Sequence, residues 1–357
     1  VTTELGLPLW QEDFLGAGFE ALGLELLPDD EGPVCATLVR HVRKDAPLSA
    51  PHGLLDTLTA FTRRRRRRDV PVTEGPPRVV LYIHGWADYF MQTELAEFLT
   101  ASGFHFYAVD LRKFGRSLRS GQTPGYATDL TVYDEDLDAA ILAIQQDLRE
   151  RTGISEAPTI HMIAHSLGGL IAALWANRNP GRIATLTLNS PWLELQGSSL
   201  FRSIAMHLVE PIARTDPKRP FRFPEMPAYW QSVSNQAHGE WTLDPVWRPR
   251  ASFPIRAGWT KAVLAGHAAV ERKLNIDAPV LVLLSGRTRI QAEWSAELMR
   301  VDAVIDVEQT ARRALGLGRR TAVFRYPGAL HDVFLSRRTV RQQAYRDVAI
   351  WLASYPD

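Results

Sequence analysis

The chain is predicted to be an α/β protein: a mostly parallel sheet with helices on both faces and an inserted helical lid. Three observations predict this. From residue 79 onward, short apolar runs alternate with amphipathic helical segments, the pattern of strands buried on both faces by their own crossover helices. One such run, Thr159–Ala164, stops abruptly at Ser166 and is followed by small residues and a helix-like stretch. Between Asn189 and Pro279 the rhythm breaks, as an insertion requires.

The elements follow in order. Residues 19–43 read as a β-hairpin, with an extended run over Glu20–Leu27, a turn at Pro28-Asp29-Asp30-Glu31-Gly32-Pro33 and a return from Val34 to Val42. Residues 44–77 lack periodicity and read as a loop-rich connection. Val79–Ile83 is a buried strand. Glu94–Ala101 is a helix with Leu95, Phe98 and Leu99 on one face and Gly103 as its stop. Phe104–Val109 is a strand. Asp134–Arg151 is a long amphipathic helix through Leu137, Ile141, Ile144 and Leu148. Further strands are Thr159–Ala164, Ile183–Leu188, Val280–Leu284 and Thr321–Tyr326. The last helix, Arg338–Ser354, turns Ala344, Val348, Trp351 and Leu352 to the core.

Residues 191–265 hold five of the ten tryptophans (192, 230, 241, 247 and 259) and nine of the 23 prolines. Leu200, Ile204, Leu208 and Ile212 mark an amphipathic helix there. We expect 1–190 and 266–357 to form the core, and 191–265 to form a lid over the strand C-termini, where ligands bind in open α/β sheets. Aromatic-rich concave surfaces suit apolar ligands.

Composition narrows the classes. A single cysteine, Cys35, excludes an intrachain disulfide framework and fits a reducing compartment. No apolar run reaches the length of a transmembrane helix, and Val1–Gly6 shows no signal-peptide pattern; the expected location is cytoplasmic. The net charge of +1 hides a run of six arginines, Arg63–Arg68, without which 35 basic residues face 40 acidic ones. The run reads as a solvated segment, or as a weak contact with an anionic surface. No aromatic interleaving or second basic block points to nucleic acid. No His/Cys/Asp cluster suggests a metal and no Gly-rich loop suggests a nucleotide, so no cofactor is expected.

The chemistry is carried by three strings. Ala164-His165-Ser166-Leu167-Gly168-Gly169 has the form of a nucleophile elbow, a strained strand-to-helix turn that lifts a serine hydroxyl clear of the sheet and needs small neighbours. The Leu167 N–H opens the next helix and can meet a developing oxyanion. His84-Gly85-Trp86 directly follows a buried strand and can aim the Trp86 N–H at the same place. Gly328-Ala329-Leu330-His331 follows the last strand, where His331 can act as general base to Ser166. His161, His165, His207 and His267 read as packing residues.

These strings, with Asp110-Leu111-Arg112-Lys113-Phe114-Gly115-Arg116-Ser117 and Pro279-Val280-Leu281-Val282-Leu283, resemble an α/β-hydrolase of the branch holding monoacylglycerol lipases, lysophospholipases and serine aminopeptidases. The resemblance spans residues 79–335 and implies a catalytic triad in the order serine, acid, histidine. The chain departs from the branch in three ways. Ala164 stands where glycine is more usual, Lys113-Phe114 stands where Gly-His is usual, and Arg289 occupies the place expected of the acid. Glu293, Glu297, Asp302 and Asp306 lie further on. Residues 291–300 read as an inserted helical turn or two, after which Asp302-Ala303-Val304 restores the family's form, 29 residues before His331. Asp306 with Gln309 reads as a cap of the helix Val307–Leu315. Asp302 is therefore the preferred acid.

The resulting expectation is a serine hydrolase of carboxylic esters with Ser166, His331 and Asp302 as catalytic residues, Trp86 and Leu167 as oxyanion donors, and a small apolar or acyl ester as substrate. An aminopeptidase needs acidic groups for a substrate ammonium. Residues 191–265 carry Glu194, Glu210, Asp216, Glu225, Glu240 and Asp244 against nine Lys or Arg, with no acidic cluster. An acyltransferase with the same triad would carry the same strings, and so would a non-catalytic binder that keeps the cavity.

Overall fold

The computed structural model describes residues 9–42, 75–195, 209–221 and 227–355. Arg63–Arg68, the connection over 44–74, His207, and Leu200, Ile204 and Leu208 lie outside the described residues. Among the described residues the strands form one sheet, ordered β1-β2-β3-β5-β4-β6-β7-β8-β9. These strands are β1 (Gln11–Glu12), β2 (Phe19–Asp29), β3 (Gly32–His41), β4 (Arg78–Ile83), β5 (His105–Asp110), β6 (Thr159–His165), β7 (Thr185–Asn189), β8 (Val280–Ser285) and β9 (Thr321–Tyr326). β1 to β3 form an antiparallel meander, and β3 runs antiparallel to β5. From β5 to β9 every pair is parallel.

The hairpin turn is tighter than the turn residues imply. Asp29 pairs with Gly32, and a register shift falls between Leu26 and Asp29. Pro28 sits in that shift, where its missing N–H breaks no ladder bond.

Side chains of β4 alternate between two cores, as the pleat demands. Val79, Leu81 and Ile83 face helices α2 (Tyr133–Thr152), α3 (Ser166–Arg178) and α5 (Ala257–Glu271). Val80 and Tyr82 face α1 (Thr93–Ala101) and α7 (Arg338–Ala353). Between α3 and α5, residues 209–215 are helical and α4 covers Ala228–Val233; α6 covers Val307–Ala314. Helix α5 runs through residue 265, and its Trp259, Ala262, Val263 and Val270 join the core with α2 and α3. Among the described residues no helix is long and apolar enough to cross a membrane.

The crossovers decide where the site lies. After β4 the chain goes to α1 and then to β5 on one side. It then passes through α2 to β6 on the other side of β4. The loops after β4 and β6 therefore part to opposite faces and leave a crevice at the strands' C-terminal edge.

His161, buried in β6, meets the Thr185 hydroxyl at 2.9 Å. Burial, reinforced by Arg78, pushes its pKa down to about 4 from 6.5. The unfolded chain takes up the proton first, so the stabilisation from neutral His161 is present above about pH 6.5 and lost as pH falls toward about 4, roughly 3 kcal/mol in all. His161→Gln should therefore lose less thermal midpoint than wild type between about pH 7 and about pH 4.5. The difference is partial, because His105 is also pushed down to about 4 by burial. Equal losses in the two proteins would remove His161 as a source of acid sensitivity.

Candidate active site

Ser166 stands at the junction of β6 and α3 with φ +50°. That is the left-handed region, which costs a non-glycine residue about 1–3 kcal/mol and persists only where neighbours enforce it. The neighbours here are glycines. A Cβ on Gly168 would lie 2.1 Å from the carbonyl oxygen of His84, and one on Gly85 would lie 3.1 Å from the Ser166 Cβ. Gly169 abuts Pro191, whose Cβ would lie 2.8 Å from an added Cβ. The Trp192 N–H donates to the Ser166 carbonyl at 3.0 Å. Ala164, at the position where glycine is more usual, is simply buried in the sheet.

His331 reaches this serine from the loop after β9. Its Nε2 is 3.1 Å from Ser166 Oγ, and its Nδ1 is 2.9 Å from Asp302 Oδ2. All three residues are buried. The other Asp302 oxygen accepts the N–H groups of Val304 (2.8 Å) and Ile305 (2.9 Å), which fixes the carboxylate's direction.

The backbone also accounts for where Asp302 lies. Its N–H donates to the Arg287 carbonyl at 3.0 Å, and its carbonyl accepts from Arg289 N–H at 2.9 Å. Residues 290–301 leave the sheet edge, form a 3₁₀ turn at Ala296–Arg300 and return to the spot they left. Asp302 thus lies beside Arg289, the position at which an acid was expected. Asp306 does something else: Oδ1 accepts from Glu308 and Gln309 N–H and caps α6. Glu297 pairs with Arg287 at 3.0 Å, and Glu293 is exposed.

The loop after β4 is held by His84. Its Nε2 accepts the Leu111 N–H at 3.0 Å, so its Nδ1 carries the proton and donates to the Gly85 carbonyl at 2.7 Å. A planar trans peptide points its N–H opposite its carbonyl, so His84 sets the direction of the Trp86 N–H. Leu167, second in α3, has an N–H with no acceptor inside its own helix. The Trp86 ring packs on Phe114 (5.7 Å), Phe253 (5.8 Å) and Trp259 (4.0 Å), and Trp259 stacks on Trp192 (6.0 Å). Phe114 stands where the branch usually has histidine. The neighbouring Lys113 is buried and paired with Glu31 at 2.7 Å.

Other sequence candidates take packing roles. Burial pushes the His165 pKa down, and its Nδ1 lies 3.1 Å from the Asn189 carbonyl. His267 Nε2 lies 3.0 Å from the Trp192 carbonyl. Among the described residues no group of His, Cys, Asp or Glu is arranged to hold a metal ion.

Sequence reasoning missed the support beneath His331. The buried Asp332 accepts from Asn189 Nδ2 (2.6 Å), Gln92 Nε2 (2.9 Å) and Phe334 N–H (2.9 Å). The Val333 N–H donates to Asn189 Oδ1 at 3.1 Å. Its one local signal is an aspartate two residues before Phe334, the spacing of a capping carboxylate. Asn189 and Gln92 lie too far away in sequence to be tied to it.

Comparison with known proteins places these features in a family. The family model described as serine aminopeptidase, S33 matches residues 74–337. The monoacylglycerol lipase of Mycolicibacterium smegmatis is 25% identical over 301 residues, covering 80% of this chain and 92% of that one. The crystal structure of Paleococcus ferrophilus monoacylglycerol lipase superposes with a TM-score of 0.56 at 21% identity, over 79% of this chain and 96% of that chain. A soluble variant of Saccharomyces cerevisiae monoglyceride lipase, bound to a substrate analogue, gives 0.59 at 16% identity, over 98% and 96% of the two chains. These likenesses in structure establish the fold.

The contact at Gly168 admits a direct test. Gly168→Ala forces a methyl group against a backbone carbonyl, and such overpacking costs about 1–3 kcal/mol or more. The urea midpoint should fall accordingly; an unchanged midpoint would mean the elbow has slack that the geometry denies.

Proposed function

Because the chain belongs to the serine aminopeptidase S33 family of α/β-hydrolases, we propose that it cleaves carboxylic esters with apolar or acyl substrates through an acyl-enzyme on Ser166. The observation that carries this reading is the unbroken hydrogen-bonded line from Ser166 Oγ through the His331 imidazole to Asp302. In the reaction, His331 Nε2 takes the Ser166 proton as Oγ attacks the acyl carbonyl, then gives it to the leaving alcohol. Asp302 holds the tautomer and stabilises the imidazolium. The N–H groups of Trp86 and Leu167 meet the tetrahedral oxyanion, where losing one donor costs ~3 kcal/mol. Water, deprotonated by His331, releases the acid.

The half-buried rings of Trp86 and Trp192, backed by the buried Trp259, support an apolar acyl group, and the part of 191–265 ahead of α5 serves as the lid over this edge. Esters are preferred to aminoacyl substrates because residues 191–265 show no acidic cluster to hold a substrate ammonium, and carboxylates such as Asp88 and Glu194 already have cations. Asp88 pairs with Arg248 at 2.8 Å, and Glu194 pairs with Arg313.

A panel of chromogenic esters and aminoacyl anilides tests this reading. Wild type should turn over the esters, and Ser166→Ala should lose several orders of magnitude while staying folded, as triad serines do. Esterase activity that survives Ser166→Ala would end the assignment. A second comparison separates the acids. Asp302→Asn should lower kcat by about 10⁴-fold, whereas Asp306→Asn should leave kcat near wild type, with any cost confined to the stability of α6. The reverse ranking would transfer the role to Asp306.

A further inference from the structure

The reaction proposed above uses no residue of 228–238 or 291–300, yet these two segments meet beside the acid and the base. On one side of α4, Ala228 is buried with Leu298 and Val301, and Trp294 and Ala303 pack around them. The Trp294 indole N–H donates to Ser232 Oγ at 3.1 Å, and the Ser232 hydroxyl donates to the Ala228 carbonyl at 3.1 Å. His238 stacks on the Trp294 ring at 3.5 Å. Asp302 follows Val301 directly.

The same helix also touches the base. Tyr229 sets its ring edge-on to His331, with centroids 5.4 Å apart and planes at 86°. Its hydroxyl accepts the N–H of Asp332 at 3.1 Å. The helix and the segment after it are tied down around this contact: Trp230 Nε1–H of α4 donates to the Arg248 carbonyl at 3.2 Å, and Trp241 Nε1–H donates to the Leu335 carbonyl at 2.9 Å.

We propose that α4, through Tyr229, Ser232 and Trp294, is a brace that positions the acid and the base relative to each other. The physical need comes from the displaced acid. Asp302 sits at the end of an excursion tied to the sheet edge by its pairing with residues 287–289, and loops with few anchors open locally at low cost. Packing Trp294, Leu298 and Val301 on α4 gives the excursion a second anchor. Because Tyr229 on the same helix holds the His331 loop, the Asp302–His331 distance is set by one rigid body.

This inference rests on the triad reading, and its test keeps the two apart. Wild type, Trp294→Ala, Trp294→Phe and Tyr229→Phe are compared for kcat and KM on a short-chain chromogenic ester, for the rate of Ser166 labelling by a fluorophosphonate, and for thermal midpoint. Trp294→Ala should lower kcat and the labelling rate by about ten- to a hundredfold, the scale of an ångström-sized misplacement, with KM nearly unchanged. Trp294→Phe, which keeps a packed ring, should recover most of the loss. Tyr229→Phe keeps the ring and loses the Asp332 contact, and should fall about tenfold. A folded Trp294→Ala with wild-type kcat overturns the brace, and so does a loss confined to KM. If Trp294→Ala does not fold, Tyr229→Phe decides: unchanged kcat and labelling overturn the proposal. A wild type that is not labelled at Ser166 overturns the hydrolase reading and the brace with it. Labelled wild type with unaffected variants overturns the brace alone.

Discussion

The contact between Gly168 and the carbonyl of His84 is the constraint from which the site is built. β4 and β6 are paired in parallel register from Arg78 opposite Thr159 to Ile83 opposite Ala164. Their C-terminal loops therefore emerge side by side and must pass each other before parting to opposite faces. There is room for this only if residue 168 has no side chain. With that contact made, Ser166 is held at positive φ and the start of α3 lies against the His84-Gly85-Trp86 turn. The hydroxyl and both proposed oxyanion donors are then placed by backbone, the least deformable part of the protein.

The proposed acid is placed by different means. Arg289 occupies the place where the resemblance implies a carboxylate, and the chain makes an excursion over 290–301 before Asp302 arrives beside it. The backbone pairing of residues 287–289 with Asp302 brings the two ends of the excursion together. The excursion buries Leu298 and Val301 against α4 and ends where Asp302 pairs with residues 287–289. The carboxylate is then directed by two N–H groups of its own turn.

Charge orders the loop after β5. Arg116 is buried between Asp110 and Asp13, each at 2.7 Å, and Arg112 pairs with Asp136 at 2.6 Å and Glu135 at 2.6 Å. Lys113 meets Glu31 of the hairpin tip, which also holds Lys218 of the insertion. Multiple charge-assisted bonds at Glu31 hold its carboxyl well below the usual range despite burial. Breaking one such buried pair leaves an uncompensated charge, so this arrangement of the loop is costly to disturb. That arrangement puts Phe114 against both His84 and Trp86, so the Lys113-Phe114 departure reshapes the wall behind the proposed oxyanion loop.

Much of this was legible in the sequence because it is local. Strand and helix positions follow from side-chain periodicity within a few residues, and Thr321–Tyr326 appears in the structure with the predicted bounds. Ser166 and His331 could be singled out because each follows the end of a strand, and a parallel sheet brings strand ends to one edge whatever the sequence distance. By itself, the sequence determined the fold class, the edge at which chemistry can occur and the residues that stand there. Only the tertiary structure decided which carboxylate faces His331, that Asp332 rests on Asn189 and Gln92, and that α4 bridges Trp294 and His331. Those contacts join residues tens to hundreds of positions apart whose local patterns carry no trace of one another. They depend on how an insertion and a displaced loop pack together, and no period or short motif encodes that packing.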